Sequence, residues 1–159
     1  MKSTKLSGRK PQKQLKHLSA VQKIEVTNSV EETFALGKKF GQSLVGGEVI
    51  EFVGDLGAGK TSFVRGLAEG IGSDDSVTSP TFTISNIYSG RDGLSLYHYD
   101  FYRLPEPGII AEELTESTND PKAVVCIEWA ETVRGVLPEN KITIEITTID
   151  EDSREFKFS

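Results

Sequence analysis

The sequence predicts a single-domain α/β sandwich in which helices flank a mixed central sheet. An apolar strand at 48–53 runs through a glycine loop into a helix at 60–71, which is the strand–loop–helix pattern of α/β proteins. A continuous apolar run at 123–127 is typical of a buried central strand. Two further strands, at 81–88 and 94–101, are close enough in sequence to form a hairpin, which favours a mixed sheet over a purely parallel one.

A strand and a helix precede this unit. Residues 23–26 alternate between polar and apolar side chains, as a short strand does. Ser29 is a candidate N-cap, and Glu32 three residues later completes a capping-box pattern. Apolar side chains then recur near helical spacing, and we expect this helix to end at Gly46-Gly47.

The C-terminal part supplies the remaining elements. Two prolines break the chain before a short helical stretch at 109–114. Residues 141–149 alternate in part, and 155–158 is expected to pair with them as the final edge of the sheet. The chain shows no internal repeat and no second domain boundary, so all these elements are assigned to one domain.

Composition places the chain among ordinary globular proteins. Its 159 residues suffice for one domain, and 36% hydrophobic with 26% charged residues is usual for such a domain. No apolar run approaches the roughly 18 residues that span a membrane. Cys126 is the single cysteine, so no internal disulfide can form, which agrees with a reducing compartment. We therefore expect a cytoplasmic protein that does not enter a membrane.

Charge divides the chain into a basic leader at 1–20 and an acidic body at 21–159. The leader carries six lysine and arginine residues and no acidic residue, whereas the whole chain has a net charge of −6. An acidic body disfavours a broad nucleic-acid-binding face, because such faces need clustered basic side chains. We expect the leader to be a solvated, disordered segment, with contact to RNA or an acidic partner as the alternative.

The loop at 54–61, Gly-Asp-Leu-Gly-Ala-Gly-Lys-Thr, matches the phosphate-binding pattern G-x-x-x-x-G-K-[ST] at every fixed position. Its glycines let the backbone curl tightly, so that successive N–H groups and the following helix N-terminus face an anion. Lys60 is predicted to contact the β- and γ-phosphates, and the Thr61 hydroxyl to bind Mg²⁺. The sequence therefore predicts a P-loop NTPase sandwich that binds Mg-ATP. The predicted ATP-binding residues here are Asp55, Leu56, Gly57, Ala58, Gly59, Lys60, Thr61 and Ser62.

Two carboxylates at strand ends are candidates to face this loop. Glu128 closes the apolar run of the buried strand, which is the Walker B arrangement. Asp100 lies near the end of its strand, on the same side of the pleat as His98. We expect Glu128 to be the metal-side ligand and Asp100 to orient water or a second-shell ligand. The alternatives are a solvated charge for Glu128, and for Asp100 a structural acid paired with Arg103 or a tyrosine hydroxyl.

A hydroxyl-rich segment at 77–83 lies between the phosphate loop and these carboxylates. Thr78, Ser79 and Thr81 could sense the γ-phosphate as a switch segment does. An ordinary Ser/Thr turn pinned by Pro80 is the competing interpretation, and spacing does not separate the two.

Two strand residues invite a chemical role but are expected to be structural. His98 lies between two tyrosines with no nucleophile beside it, so we expect a hydrogen-bonded core histidine and not a general base. Cys126 lies within the apolar run and is expected to behave as a small buried hydrophobe.

Four blocks of sequence together resemble one family. They are the phosphate loop at 54–61, Val-Thr-Ser-Pro-Thr-Phe-Thr at 77–83, Tyr-His-Tyr-Asp-Phe-Tyr-Arg-Leu at 97–104, and Ile-Glu-Trp-Ala-Glu at 127–131. In this order and spacing they resemble the bacterial TsaE family, also called YjeE, the ATPase component of the tRNA threonylcarbamoyladenosine machinery. The resemblance covers residues 24–149.

The resemblance implies an activity and partners. Family members are weak ATPases alone and act with the TsaD–TsaB pair, which transfers a threonylcarbamoyl group from its adenylate to tRNA. The ATPase permits repeated turnover of that pair and does not itself perform the transfer. Contact with tRNA is therefore expected only through the complex, and the implied cofactor is Mg²⁺ with ATP as the substrate.

The resemblance also implies roles for individual residues. Lys60 and Asp100 match the family's catalytic positions, and Thr61 and Glu128 match its Mg²⁺ ligands. These assignments agree with the roles predicted from the motif and from the strand ends.

Two further positions match the family, and two segments depart from it. Thr33 matches a position near the nucleotide base, and Trp129 matches a tryptophan beside the site. Residues 1–22 extend beyond the usual family start, and 114–122 lacks the aromatic Glu-Tyr pattern expected before the last core strand. Nothing is therefore carried over for the leader or for the partner-facing surface.

Other P-loop functions fit less well. A small-molecule kinase usually has a lid with arginines, and 105–122 contains none. A GTPase is disfavoured because the chain lacks a guanine-reading Asn-Lys-x-Asp box. A non-hydrolysing nucleotide-sensing scaffold is the other alternative, since a fold and a site alone do not prove turnover. The leading hypothesis is a slow ATPase that a partner stimulates, with Arg103 as the nearest candidate for an arginine finger.

Overall fold

Seven strands form one mixed sheet in the computed structural model, which describes residues 22–80, 83–102 and 104–159. The basic leader at 1–20 lies outside these residues. The strands are β1 (Lys23–Thr27), β2 (Val49–Val53), β3 (Ser85–Ser89), β4 (Ser95–Asp100), β5 (Ala123–Glu128), β6 (Ile142–Thr148) and β7 (Arg154–Phe158). The helices are α1 (Val30–Gln42), α2 (Lys60–Gly70) and α3 (Ile110–Asn119), with short 3₁₀ helices at Arg91–Gly93 and Ala130–Val136.

The strand order is β1-β7-β6-β2-β5-β4-β3. The four central strands β6, β2, β5 and β4 run parallel to one another. Antiparallel strands extend the sheet at both sides, β3 beside β4, and β7 and then β1 beside β6. This confirms the predicted mixed sheet and the hairpin between the third and fourth strands. The parallel centre places the carboxyl ends of β2, β4 and β5 at one edge, where ligands of α/β sheets usually bind.

Helices α1 and α2 lie on one face of the sheet and touch backbone to backbone. Gly37 on α1 and Gly66 on α2 stand at this contact. A Cβ atom added to Gly66 would overlap the carbonyl oxygen of Phe34, and one added to Gly37 would overlap that of Phe63. Because these positions have no side chain, the two helices approach closely, and α1 reaches the loop that precedes α2.

Aromatic side chains fill the core beneath these helices. Phe63 on α2 lies at its centre and is fully buried. Its ring centroid is 5.4 Å from that of Phe156, 5.6 Å from that of Phe52 and 5.9 Å from that of Phe40. Rings at these separations add attraction beyond the area that they bury. The first turn of α2 is therefore anchored to strands β2 and β7 and to α1.

The opposite face of the sheet is covered over part of its width. Helix α3 and the 3₁₀ helix Ala130–Val136 pack on β4 and β5 through a second cluster that includes Tyr99, Leu114 and Ile127. On β1, at the far side of this face, Ile24 and Val26 remain 55% and 49% exposed within the described part of the chain.

Predicted boundaries were wrong at two turns. Strand β3 begins at Ser85 and not at 81, because the N–H groups of Thr83 and Ile84 both donate to the Pro80 carbonyl and form a turn. Helix α1 ends at Gln42, ahead of the glycine pair, because the N–H and hydroxyl of Ser43 both turn back to the Phe40 carbonyl.

Two other expectations need correction. Strand β7 is not the edge of the sheet, because β1 pairs along its outer side from Lys23 with Phe158 to Thr27 with Arg154. Helix α3 continues to Asn119, well beyond the predicted stretch at 109–114. The 3₁₀ helix Ala130–Val136 was not predicted.

A membrane-spanning segment is not found among the described residues either. None of the described helices combines the length and the apolar character that a membrane span requires.

Candidate nucleotide-binding site

The phosphate loop connects the end of β2 to the start of α2, at the carboxyl edge of the sheet. Gly57 and Gly59 have φ angles of 77° and 104°, in the left-handed region that side chains with a Cβ rarely adopt. Gly54 is required for a different reason, because a Cβ there would lie 2.8 Å from the Ile146 carbonyl oxygen on β6. The motif glycines therefore serve both the turn geometry and the packing of the loop against the sheet.

The first turn of α2 begins at this loop, and among the described residues no side chain caps its N–H groups. Gly59 is the N-cap and has no side chain to accept a hydrogen bond from them. The α2 N-terminus is therefore free to offer backbone donors and its partial positive charge to an anion. Thr61 and Ser62 lie in this turn and are half-buried, while their contact with phosphate stays a prediction.

The Lys60 side chain is folded over the loop and is only 6% exposed. Its Nζ donates to the carbonyl oxygens of Gly54, at 2.6 Å, and Asp55, at 3.1 Å. The same ammonium lies 4.6 Å from the centroid of the Trp129 ring, within cation–π range. The lysine is thus held at the loop by two dipoles and an aromatic face.

Trp129, which the family resemblance places beside the site, contacts Lys60 and Tyr102 in the structure. Its backbone is left-handed, with φ of 57°, directly after β5. The Tyr102 ring packs against its indole with centroids 4.9 Å apart. A non-glycine residue with this φ is strained and needs surrounding contacts to hold it. The sequence signal was the family resemblance, and the contact with Lys60 was not predictable from spacing.

The two predicted carboxylates lie side by side at the same edge. In the parallel register Asp100 on β4 pairs with Glu128 on β5, and Glu128 pairs in turn with Phe52 near the end of β2. Asp100 is 6% exposed and Glu128 is 4% exposed. The alternative of a solvated strand-end charge for Glu128 is therefore wrong.

Asp100 is held by backbone as well as by its strand. Its Oδ1 accepts a hydrogen bond of 2.8 Å from the N–H of Tyr102, and its own N–H donates to the Ile84 carbonyl at 2.9 Å. Arg103, the partner considered for Asp100 and the candidate arginine finger, lies outside the described residues. The carboxylate is thus buried and oriented at the edge that carries the phosphate loop.

His98 is a buried, hydrogen-bonded histidine, as expected. Its side chain is fully buried, and Nε2 lies 2.8 Å from Glu128 Oε1. The partner was not predicted, because thirty residues separate the two positions in the sequence. Cys126 on β5 pairs in register with His98 and is also buried. Its burial, and to a smaller extent the charge of Glu128, raises the pKa of its thiol.

Thr33 on α1 lies beside the phosphate loop. It is 3% exposed, and its Oγ1 is 2.8 Å from the Oγ1 of Thr27 at the end of β1. A Cβ added to Gly59 would lie 3.7 Å from Thr33 Cγ2. The structure thus places Thr33 beside the loop. That Thr33 lies near the base of a bound nucleotide stays a prediction. Thr27 was missed, because it reads as an ordinary strand-end residue.

The hydroxyl-rich segment forms an anchored turn. The Tyr88 hydroxyl bonds both the N–H and the carbonyl of Thr78, at 3.2 and 3.1 Å. Ile84 follows with a left-handed φ of 67° and joins the segment to Asp100 through its carbonyl. This favours the turn interpretation for the described residues; Thr81 lies outside them, and the switch role stays a prediction.

The donor set suits a magnesium ion that is shared with phosphate. Thr61 offers a hydroxyl and Glu128 a buried carboxylate, and both are hard oxygen ligands. Within 22–80, 83–102 and 104–159, no three His, Cys, Asp or Glu side chains cluster in a way that would hold a metal by themselves. Mg²⁺ in nucleotide sites is typically held by one or two protein oxygens together with substrate phosphates. The residues present therefore fit the ion.

A cleft adjoins this edge. It has a volume of about 290 Å³ and is lined by Phe101, Tyr102, Leu104, Pro105, Trp129, Glu131 and Thr132. A smaller cleft of about 170 Å³ borders the start of the phosphate loop and shares Trp129 and Glu131. Trp129 therefore lines both the cleft at the phosphate loop and the larger cleft beside it.

A glycine loop between a central strand and a helix N-terminus, with buried carboxylates on adjacent strand ends, defines the P-loop class of nucleotide-binding proteins. Comparison with known proteins gives the family. Residues 27–156 match the family model described as "Threonylcarbamoyl adenosine biosynthesis protein TsaE". The chain belongs to the TsaE family.

Individual relatives agree with this assignment. The chain is 41% identical over 134 residues to the tRNA threonylcarbamoyladenosine biosynthesis protein TsaE of Treponema pallidum, which covers 82% of this chain and 95% of that protein. It is 39% identical over 135 residues to the TsaE of Bacillus subtilis, covering 84% of this chain and 82% of that protein. The crystal structure of YdiB from the same organism superposes with a TM-score of 0.66 at 35% identity, covering 87% of this chain and 84% of that one.

Proposed function

We propose that this chain binds Mg-ATP at the phosphate loop and hydrolyses it slowly, as the accessory ATPase of tRNA threonylcarbamoyladenosine biosynthesis. The observation that carries the proposal is the meeting of the Lys60 ammonium, the α2 N-terminus and two buried carboxylates at one sheet edge. Phosphate binding requires the first two of these features, and water-mediated phosphoryl transfer requires the carboxylates.

Binding of phosphate would begin at the backbone. Gly57 and Gly59 shape the loop so that its N–H groups and those of the first turn of α2 converge on an anion. Lys60 exchanges its two carbonyl partners for phosphate oxygens, a charge-assisted contact that is stronger than its present ones. Thr61 and Glu128 supply oxygen ligands for Mg²⁺, which neutralises charge on the phosphates when it is bound.

Asp100 is assigned to the attacking water. Its carboxylate is buried, is oriented by the Tyr102 N–H, and lies beside Glu128 in register. A buried acceptor that is already fixed can orient water without reorganising in the transition state. If Asp100→Asn changes the Mg²⁺ dependence of hydrolysis and Glu128→Gln does not, the two roles are reversed.

The proposed partner is the TsaD–TsaB pair, with tRNA contacted only through the complex. The relatives named above are biosynthesis proteins for a tRNA modification, and the body of this chain is acidic, which suits protein partners better than RNA. A role in tRNA modification implies a cytoplasmic location, which is part of this proposal. Arg103 is the nearest candidate for an arginine finger, and a lone domain without such a finger is expected to be slow.

Steady-state ATP hydrolysis tests this proposal, with the protein alone and with the TsaD–TsaB pair. We expect a slow basal rate that rises clearly with the pair. Lys60→Ala should lower kcat/KM on the order of 100-fold, because it removes a preorganised cation from the phosphates. Lys38→Ala is the matched control, since Lys38 is an exposed lysine on α1 that pairs with Glu69. Its rate should equal that of the unchanged protein.

Other outcomes would move the assignment. Hydrolysis that ignores the pair but depends on an added small acceptor would indicate a kinase. Tight nucleotide binding without turnover, alone and with the pair, would indicate a nucleotide-sensing scaffold. Unchanged hydrolysis in Lys60→Ala would show that the phosphate loop is not the site.

A further inference from the structure

His98 and Glu128 form a buried pair. The proposed mechanism assigns Glu128 to Mg²⁺ but gives His98 no role. Both side chains face the α1–α2 side of the sheet, because His98 pairs in register with Cys126, two positions before Glu128. The side-chain exposures are 0% for His98 and 5% for Glu128, and the Nε2 to Oε1 distance is 2.8 Å. The imidazole therefore lies directly beneath the carboxylate that is assigned to the metal.

The direction of this hydrogen bond follows from the chemistry of the two groups. An ionised carboxylate oxygen can only accept a hydrogen bond. His98 Nε2 therefore carries the hydrogen atom and donates the bond to Glu128 Oε1. The other ring nitrogen, Nδ1, is buried and has no hydrogen-bond partner among the described residues. As a bare acceptor it is tolerated more easily than an orphaned N–H would be. The polar contact that this ring makes is thus the one to Glu128.

A carboxylate at this position needs such a partner. Glu128 has three side-chain torsions, and its burial removes the water that would otherwise solvate it. A fixed N–H donor satisfies one oxygen and restricts the torsions, which leaves the other oxygen to meet an ion. Groups that orient a metal ligand in this way usually tune metal affinity strongly.

We infer that His98 is a positioning residue that holds Glu128 for Mg²⁺ at the nucleotide site. The inference rests on the proposed function, because it requires that Glu128 meets Mg²⁺. His98 touches neither the nucleotide nor the ion in this assignment and acts through the glutamate alone.

Two amide variants separate this role from a structural one. His98→Gln carries a side-chain N–H that can reach the position of Nε2, and His98→Asn is one methylene shorter and can reach only the position of Nδ1. Both bury a neutral amide, so their effects on folding are comparable. Tyr99→Phe is the control, because Tyr99 is on the same strand as His98 but faces the other side of the sheet. The substitution removes a buried hydroxyl that bonds Ser117 and Glu113 on α3.

The measurement is the Mg²⁺ dependence of ADP binding, followed by the fluorescence of Trp129, the only tryptophan. His98→Asn should raise the half-saturating Mg²⁺ concentration about 10–100-fold, and His98→Gln should stay within about threefold of the unchanged protein. ADP affinity without Mg²⁺ should be alike in all of them. Tyr99→Phe should keep the normal Mg²⁺ dependence even where its unfolding midpoint falls.

A double variant sharpens the result. In a Glu128→Gln background, His98→Asn should add no further loss of Mg²⁺ affinity, since the two residues act as one unit. Equal Mg²⁺ dependence in the Asn and Gln variants, or full additivity with Glu128→Gln, overturns the inference and leaves the proposed function standing. Mg²⁺-independent nucleotide binding by the unchanged protein overturns both.

Discussion

The two faces of the sheet differ in how tightly they are covered. On one face, α1 and α2 meet through glycines and enclose an aromatic core around Phe63. On the other, α3 and a 3₁₀ helix cover β4 and β5, while Ile24 and Val26 on β1 stay half-exposed within the described residues. The phosphate loop, Thr33, His98 and the two carboxylates all belong to the tight face. Closely packed interiors have little room for side chains to shift, so we expect the tight face to hold these site residues firmly in place.

Gly66→Ala is expected to have the largest effect on stability. Its Cβ would overlap the Phe34 carbonyl, and a backbone atom cannot swing away as a side chain can. Forcing α1 from α2 should cost about 3 kcal/mol, the upper part of the usual range for overpacking. Chemical denaturation measures the loss, and ADP affinity should fall as well, because Thr33 is moved from the loop.

The control for this prediction is Gly135→Ala. Gly135 lies in the 3₁₀ helix on the other face, and no atom of the described residues lies within 4 Å of a Cβ added there. Its free energy of unfolding should change by less than about 0.5 kcal/mol. If the two alanine variants were equally stable, close helix contact would not be what distinguishes the faces.

Arg91→Met is expected to have an intermediate effect. The guanidinium donates to Gly70 at the end of α2, at 2.6 Å, and to Leu44 just beyond α1, at 2.8 Å. It thereby ties the C-terminal ends of both helices together. Losing charge-assisted bonds to these carbonyls should cost about 2 kcal/mol in the free energy of unfolding.

Arg134→Met is the corresponding control, because Arg134 is exposed on the 3₁₀ helix of the other face. Its midpoint of thermal unfolding should match that of the unchanged protein. If Arg134→Met lost as much stability as Arg91→Met, the hydrogen bonds from Arg91 to the ends of α1 and α2 would not explain the effect of Arg91→Met.

Ile24→Thr is expected to have the smallest effect. The side chain is 55% exposed on β1, so replacing it by another β-branched residue should change the free energy of unfolding by less than about 0.5 kcal/mol. The same substitution at Ile144 on β6, which is fully buried under α1 and α2, should cost about 2 kcal/mol. Equal losses at the two sites in urea denaturation would contradict the difference between the faces.

Local patterns predicted the elements that carry the phosphate loop. The strand before the loop, the helix after it and the N-cap at Ser29 could be read from nearby residues, because apolar patterning, glycine spacing and capping side chains extend over only a few positions. Boundaries failed at Ser85, where a turn on the Pro80 carbonyl makes β3 begin later than the apolar pattern suggested, and at Gln42, where a C-cap ends α1 earlier. These errors did not move the site.

Contacts between distant residues could not be read in this way. The place of β1 outside β7, the Lys60 contact with Trp129 and the bond from His98 to Glu128 all join segments far apart in sequence. Period-two alternation placed Asp100 and His98 on one side of the pleat, but it did not say which strand would lie beside them. The resemblance to a family supplied Thr33 and Trp129, which residue patterns alone did not.

Local sequence patterns specify the chemical groups that this protein carries: a glycine loop, a lysine, a hydroxyl and two strand-end acids. Which of these groups meet depends on the folded chain. Register between parallel strands set Asp100 beside Glu128, and burial gave the glutamate a histidine partner in place of water. The physical reason is that backbone geometry is local, whereas burial and strand pairing depend on surfaces that exist only once the chain has folded.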